Sequence, residues 1–228
     1  MMQAAFLLYE GFTPLDVIGP FQVLAATPDI EPVFIAEQPG MVESDSSPCA
    51  IVAQQALEEV PAPDIVVVPG SLTSFHTLLR HEPILAWIRR AHDQARFVTS
   101  VCTGSLLLAA AGLLEGQPAT THWAARDLLP RFGAIPIPDR VVRSGKIITA
   151  GGVSAGIDMA LQLAAQLHGE GVAQAVQLGI EYAPEPPFDS GSKDSAAPEL
   201  VAAVTAALAR RGATWIPDPQ SPSARSHA

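Results

Sequence analysis

Hydrophobic positions along the chain fall into two alternating rhythms. Ala4 to Tyr9, Pro32 to Ala36, the run from Asp64 through Val68, and Phe97 to Val101 are short, dense and apolar or β-branched, as expected of strands covered on both faces. Between them the apolar spacing becomes helical. The stretch Leu15 to Ala26 carries Leu15, Ile18, Phe21 and Leu24 on one face, and Pro83 to Ala95 carries Ile84, Trp87, Ile88 and Ala91. Thr13 and Pro14 mark the start of the first helix as N-cap and first helical residue, and Gly112 closes a helix over Ser105 to Ala111. Met41 to Gln54 reads as a hairpin, with Ile51 and Val52 in its second arm, and Val141 to Thr149 as another around Ser144-Gly145. Pro118 to Thr121 is a short strand, followed by a helix that starts at Thr121 or His122 and ends before Pro130. Two more helices run to Leu167 and over Val172 to Tyr182. This alternation predicts an α/β fold, a mainly parallel sheet with helices on both faces.

The proline cluster Pro184 to Pro187 divides the chain into a domain of residues 1–187 and a C-terminal extension of residues 188–228. The extension is expected to hold one helix, Glu199 to Arg211, and a mobile tail from Trp215. The 228 residues, 48% of them hydrophobic, suffice for one substantial core. Thirteen Lys and Arg against twenty-three Asp and Glu give a net charge of −10, which argues against nucleic acid and anionic lipid as partners. The N-terminal apolar run is too short for a membrane span or a signal peptide. Two cysteines make neither a disulfide framework nor a zinc site, so a cytoplasmic protein with reduced thiols is expected.

Cys102 sits where the strand Phe97 to Val101 turns into a helix, at the carboxyl edge of the sheet and at a helix N-terminus that favours negative charge. A thiol there should ionise easily and act as a nucleophile; the alternative is a buried cysteine serving as a small hydrophobe. Gly104 permits the tight turn, and Gly70, at the end of Ile65 to Val68, arrives at the same edge with a backbone N–H that can face a ligand. Asp16 lies in the first turn of the first helix, beside its apolar face. His122, at a second strand-to-helix junction, is a candidate base or a cap. The glycine-dense turn Gly151 to Asp158 suits close packing against the Cys102 elbow better than a phosphate cradle. Cys49 lacks a helix N-terminus or a base and is read as structural, while His76, His81 and His92 are read as solvated.

Leu15-Asp16-Val17-Ile18-Gly19-Pro20, Val67-Val68-Pro69-Gly70, Thr99-Ser100-Val101-Cys102-Thr103-Gly104-Ser105 and Ala119-Thr120-Thr121-His122-Trp123 together resemble the DJ-1/PfpI superfamily, the class I glutamine-amidotransferase-like fold. Gly151-Gly152 through Asp158 and Glu181-Tyr182-Ala183-Pro184 extend the likeness over roughly residues 1–190. Within the superfamily the pattern is most similar to the isonitrile hydratases, which pair Val-Cys-Thr-Gly-Ser with an aspartate in Leu-Asp-x-x-Gly-Pro. Proteases and glyoxalases of the superfamily tend instead to a Cys-His elbow and a glutamate. The resemblance implies a flavodoxin-like sandwich, hydration of a small-molecule isonitrile through a covalent cysteine thioimidate, no cofactor, no metal, and a homodimer. It also implies Cys102, Asp16 and Thr103 as catalytic residues, with Gly70, Ser71, Gly104, His122 and Val153 as substrate or oxyanion contacts. Ser71 departs from the hydratase pattern, which has a second glycine there, and is expected to reshape the pocket rim. The same motifs resemble the sensor half of AraC-type regulators. Those carry helix-turn-helix units after it, whereas only about forty residues follow Pro187 here. A third reading, redox sensing through Cys102, uses the same thiol.

Overall fold

The structure, a computed structural model, describes residues 1–46 and 48–210. Strand β1 (Met2–Leu7) leads into helix α1 (Pro14–Ala25), then β2 (Ile30–Ala36), the hairpin β3 (Gly40–Glu43) and β4 (Ala50–Ala53), and the short β5 (Gln55–Ala56). After β6 (Ile65–Val68) come α2 (Phe75–Leu78), α3 (Glu82–Gln94), β7 (Phe97–Val101) and α4 (Gly104–Ala110). The chain continues through β8 (Pro118–Ala119), a 3-10 helix (Trp123–Phe132), β9 (Ile135–Pro136), β10 (Val141–Ser144) and β11 (Ile147–Ala150). It closes with α5 (Ala155–His168), α6 (Glu170–Gly179) and α7 (Pro198–Arg210).

Seven strands form one sheet in the order β10-β11-β7-β6-β1-β2-β5. All pairings are parallel except that of the edge strand β10 with β11. The central strands are buried throughout from Ala4 to Leu7 and from Ile65 to Val68, which is why they read as continuous apolar runs. Helix α1 packs on α5, and α5 on α6; α3 and α4 pack together elsewhere on the sheet. Trp87 of α3 is fully buried and its indole N–H donates to Val60 O at 2.9 Å, so core packing accounts for it. Because β1, β6, β7 and β11 run in one direction, the residues that leave them gather at one edge: Tyr9, Gly70, Cys102 and Gly151.

Several elements differ from their expected form. In α1 the buried face is Asp16, Val17, Gly19, Pro20, Val23 and Leu24, whereas Leu15 and Ile18 are 41% and 40% exposed. The helix is rotated so that Gly19 lies against Ile157 of α5 and Asp16 points into the sheet edge, not beside the face. Thr13 holds the N-cap position, but its hydroxyl donates to Asp45 Oδ2 at 2.6 Å instead of capping. The helix after His122 is a 3-10 helix that runs past Pro130 to Phe132 and is closed by Gly133 in the left-handed conformation, so Pro130 does not end it. The helix in the extension begins at Pro198 and is described to Arg210; Arg211 and the expected tail from Trp215 lie outside the described residues.

Candidate active site

Cys102 is an elbow in the backbone. It stands between β7 and α4 with φ of 56°, a left-handed conformation that few non-glycine residues adopt. The turn is held from several sides. The Cys102 N–H donates to Gly151 O at 2.7 Å and Ala150 O at 3.1 Å, and the Cys102 carbonyl accepts the hydroxyls of Thr121 at 2.9 Å and Ser105 at 3.3 Å. Gly104 explains how the turn fits: a Cβ there would stand 2.2 Å from Val68 O and 2.7 Å from Pro69 O. Gly156 likewise lets α5 approach Val101 and Pro20, which bears out close packing as the purpose of the glycine-dense turn.

Facing the elbow is Asp16. Its Oδ2 accepts the Gly70 N–H at 2.8 Å, Oδ1 is buried without a hydrogen-bond partner, and the Cys102 thiol is close enough to perturb the carboxyl. Asp16 and Cys102 are both fully buried. Burial pushes the Asp16 carboxyl well above the usual carboxylate range, partly offset by the Gly70 N–H, while Asp45 adds to the rise and the Cys102 thiol opposes it. Burial likewise pushes the Cys102 thiol well above its ordinary range, and the charge of Asp16 adds to this, against the N–H groups of Thr103 and Val153, which donate toward the sulfur. The expectation of an exposed, readily ionised thiol is therefore corrected. Taking an ion out of water outweighs two backbone donors at the start of a seven-residue helix. The proton belongs to the pair, not to either residue alone.

Thr103 and Gly70 are parts of one clamp. The Thr103 hydroxyl accepts the Ser71 N–H at 2.9 Å and approaches Ser71 O at 3.1 Å, tying the segment after β6 to the elbow. A Cβ on Gly70 would lie 2.6 Å from Thr103 N and 2.9 Å from Asp16 Oδ2. The N–H groups of Gly70 and Ser71, expected to face an anion, are thus engaged by Asp16 and Thr103. The Ser71 hydroxyl turns back into its own loop, where it accepts the N–H groups of Ser74 at 2.8 Å and Thr73 at 3.1 Å. His122 is the N-cap of the 3-10 helix, its Nδ1 accepting the Ala124 N–H at 3.3 Å, and burial followed by the charge of Arg126 lowers its pKa to about 4. It therefore serves as a neutral cap beside the site.

A cavity of about 400 Å³ lies beside the residues that hold the elbow, bordered by Thr121, His122, Gly151 and Val153, by Arg126, and by Lys193 of the C-terminal extension; Cys102 itself is buried behind them. Val153 is thus both rim and thiol donor. Cys49 is exposed in the β3–β4 turn. His81, expected to be solvated, instead pairs with Glu37 at 2.6 Å. His92 is partly buried, and that burial lowers its pKa. Among the described residues no group of three or more His, Cys, Asp or Glu could hold a metal ion, and no helix is long and apolar enough to cross a membrane. Sequence reasoning passed over Tyr9, Asp45 and Thr121. Only Tyr9 left a signal, a hydroxyl-bearing aromatic ending a buried strand at the edge shared with Gly70 and Cys102.

A parallel sheet turning through a cysteine elbow, with a buried acid from the first helix, is matched by a family profile over residues 2–166, that of the DJ-1/PfpI family. The chain belongs to the DJ-1/PfpI family. Among its DJ-1/PfpI relatives, an isonitrile hydratase of Pseudomonas putida is 48% identical over 200 residues, covering 88% of this chain and 87% of that one. The HTH-type transcriptional regulator CdhR of Pseudomonas aeruginosa is 29% identical over 78% of this chain but only 53% of its own length. Of solved structures, a ThiJ/PfpI family protein from Pseudomonas syringae superposes with a TM-score of 0.88 at 34% identity, covering 94% of this chain and 90% of that one. Drosophila melanogaster DJ-1beta shares the fold, with a TM-score of 0.68 at 21% identity over 79% of this chain and 97% of its own.

Proposed function

We propose that the chain hydrates isonitriles to N-substituted formamides, with Cys102 as nucleophile and Asp16 as proton carrier. The observation that carries this reading is the buried Cys102–Asp16 pair, with the acid held by Gly70 and the thiol by Thr103 and Val153. Similarity to the Pseudomonas putida enzyme supports the choice of substrate. An isonitrile carbon accepts both a nucleophile and a proton, so it needs a soft sulfur and an acid on the same atom. Sulfur forms the C–S bond as Asp16 gives a proton to that carbon and takes up the proton the thiol gives up, leaving the thioimidate R–N=CH–S–Cys102. Water then adds to the carbon with a proton going to nitrogen. The resulting R–NH–CH(OH)–S–Cys102 collapses to R–NH–CHO as sulfur regains its proton. A low-dielectric pocket favours this sequence because no step requires two buried negative charges at once.

The cavity bordered by Thr121, His122 and Val153 is the proposed entrance for substrate. A homodimer is also proposed, covering the exposed Leu15 and Ile18 of α1, with α7 as a further candidate contact; a monomer in light scattering at micromolar concentration counts against it. The deciding experiment is formamide release from an alkyl isonitrile, with mass spectrometry of the trapped adduct on Cys102. Absence of formamide, or hydration that survives Cys102→Ala, overturns the reading.

A further inference from the structure

We propose that Tyr9 is a positioning residue that sets the proton affinity of Asp16 through the Pro69–Gly70 peptide. The Tyr9 hydroxyl donates to Pro69 O at 2.5 Å, and the N–H of the same peptide unit, on Gly70, donates to Asp16 Oδ2 at 2.8 Å. Tyr9 is 5% exposed and Asp16 fully buried, so water competes with neither bond. An O–H that donates into an amide carbonyl draws electron density from its nitrogen, which makes the N–H a stronger donor to a carboxylate, and a low local dielectric enlarges the effect. The peptide is also braced against turning away. Gly70 O, on the next peptide, accepts the Thr13 N–H at 2.8 Å, and Gly104 packs so close to Pro69 O that a Cβ there would stand 2.7 Å from it.

The chain of bonds therefore runs from Tyr9 through the peptide to Asp16, whose carboxyl is electrostatically coupled to the Cys102 thiol. Loss of the hydroxyl weakens the donor that stabilises the Asp16 carboxylate and raises the carboxyl's proton affinity. The titratable groups facing Asp16 are Cys102 from the elbow, Asp45 from the loop after β3, and Tyr9 itself. The catalytic consequence rests on the hydration reading, but the effect on Asp16 does not.

The test uses the full chain with Cys102→Ala, which removes the coupled thiol, and follows the Asp16 carboxyl carbon by NMR as pH is varied. Tyr9→Phe is expected to raise the Asp16 midpoint by about half a unit. Replacement of tyrosine by 3-fluorotyrosine, a more acidic phenol and stronger donor, is expected to lower it. The chain has two tyrosines, so Tyr182→Phe confines the label to Tyr9. A merely structural Tyr9 gives no such opposed pair of shifts. Equal midpoints in all three proteins, or two shifts in one direction, overturn the proposal, and if Tyr9→Phe does not fold the fluorinated arm decides alone. With Cys102 restored, the pH profile of kcat should move in the same directions with KM little changed. A protein that hydrates no isonitrile defeats the hydration reading while the NMR titration still reports on Tyr9.

Discussion

Gly70→Ala tests the clamp that joins Asp16 to the elbow. The added Cβ would stand 2.6 Å from both Thr103 N and Thr103 Oγ1, and 2.9 Å from Asp16 Oδ2, whereas ordinary contact begins at 3.4 Å. Thr103 N is backbone at the start of α4 and donates toward the Cys102 sulfur, so it cannot swing aside as a flexible side chain would. Opening that contact displaces either the elbow or the Gly70 N–H that holds Asp16 by most of an ångström. A misplacement of about 1 Å at a reacting pair costs on the order of 100-fold in rate, and overpacking a buried site costs about 1–3 kcal/mol of stability. The assay is kcat/KM for formamide release together with a thermal melt. The expected result is a loss of roughly 100-fold in turnover with a moderate drop in Tm. Wild-type turnover and Tm in Gly70→Ala would refute the claim that this contact sets the geometry of the pair.

Other expectations follow from the buried charges. The Asp16 carboxyl is held above its unfolded range, so its contribution to stability is complete below the unfolded pKa of about 3.9 and is lost as pH rises through the folded value; Asp16→Asn should therefore raise Tm more at pH 8 than at pH 5 while abolishing hydration, and an equal Tm change at both would count against a buried, titrating Asp16. His122 carries the opposite sign: with a folded pKa of about 4 against about 6.5 unfolded, stability is full above pH 6.5 and falls by on the order of 2–3 kcal/mol toward pH 4, which a series of melts across that range on wild type and His122→Asn would reveal or refute. Iodoacetamide should modify exposed Cys49 ahead of buried Cys102 at neutral pH, and mass spectrometry showing Cys102 labelled first would contradict its raised pKa. Cys102→Ala should leave the fold intact and abolish hydration, as circular dichroism and turnover can check.

The elbow was legible because strand and helix signals are local. A β-branched run, a cysteine and a glycine two residues later specify a strand turning sharply into a helix wherever the segment lies, and the structure gives Cys102 the positive φ that such a turn demands. The pairing of Asp16 with Cys102 was reachable from the resemblance, not from spacing, since 54 residues separate Asp16 even from its Gly70 donor. Periodicity went wrong where it was weakest. Helix α1 has apolar residues on more than one face, so the pattern chose Leu15 and Ile18, while packing against α5 and the pull of a site at the sheet edge turned Asp16 and Gly19 inward.

By itself the sequence determined the order of elements, the parallel sheet and the positions of its turns, because these follow from backbone propensity and the burial of continuous apolar runs. Only the tertiary structure decided the chemistry of the site. Whether the Cys102 thiol is ionised depends on how much water the fold excludes and which charge it places opposite. Whether the Gly70 and Ser71 N–H groups face substrate depends on which acceptors reach them first. Tyr9 follows β1, Asp16 stands on α1 and Gly70 follows β6, and the hydrogen bonds linking them exist only because the neighbouring parallel strands β1 and β6 end at one edge.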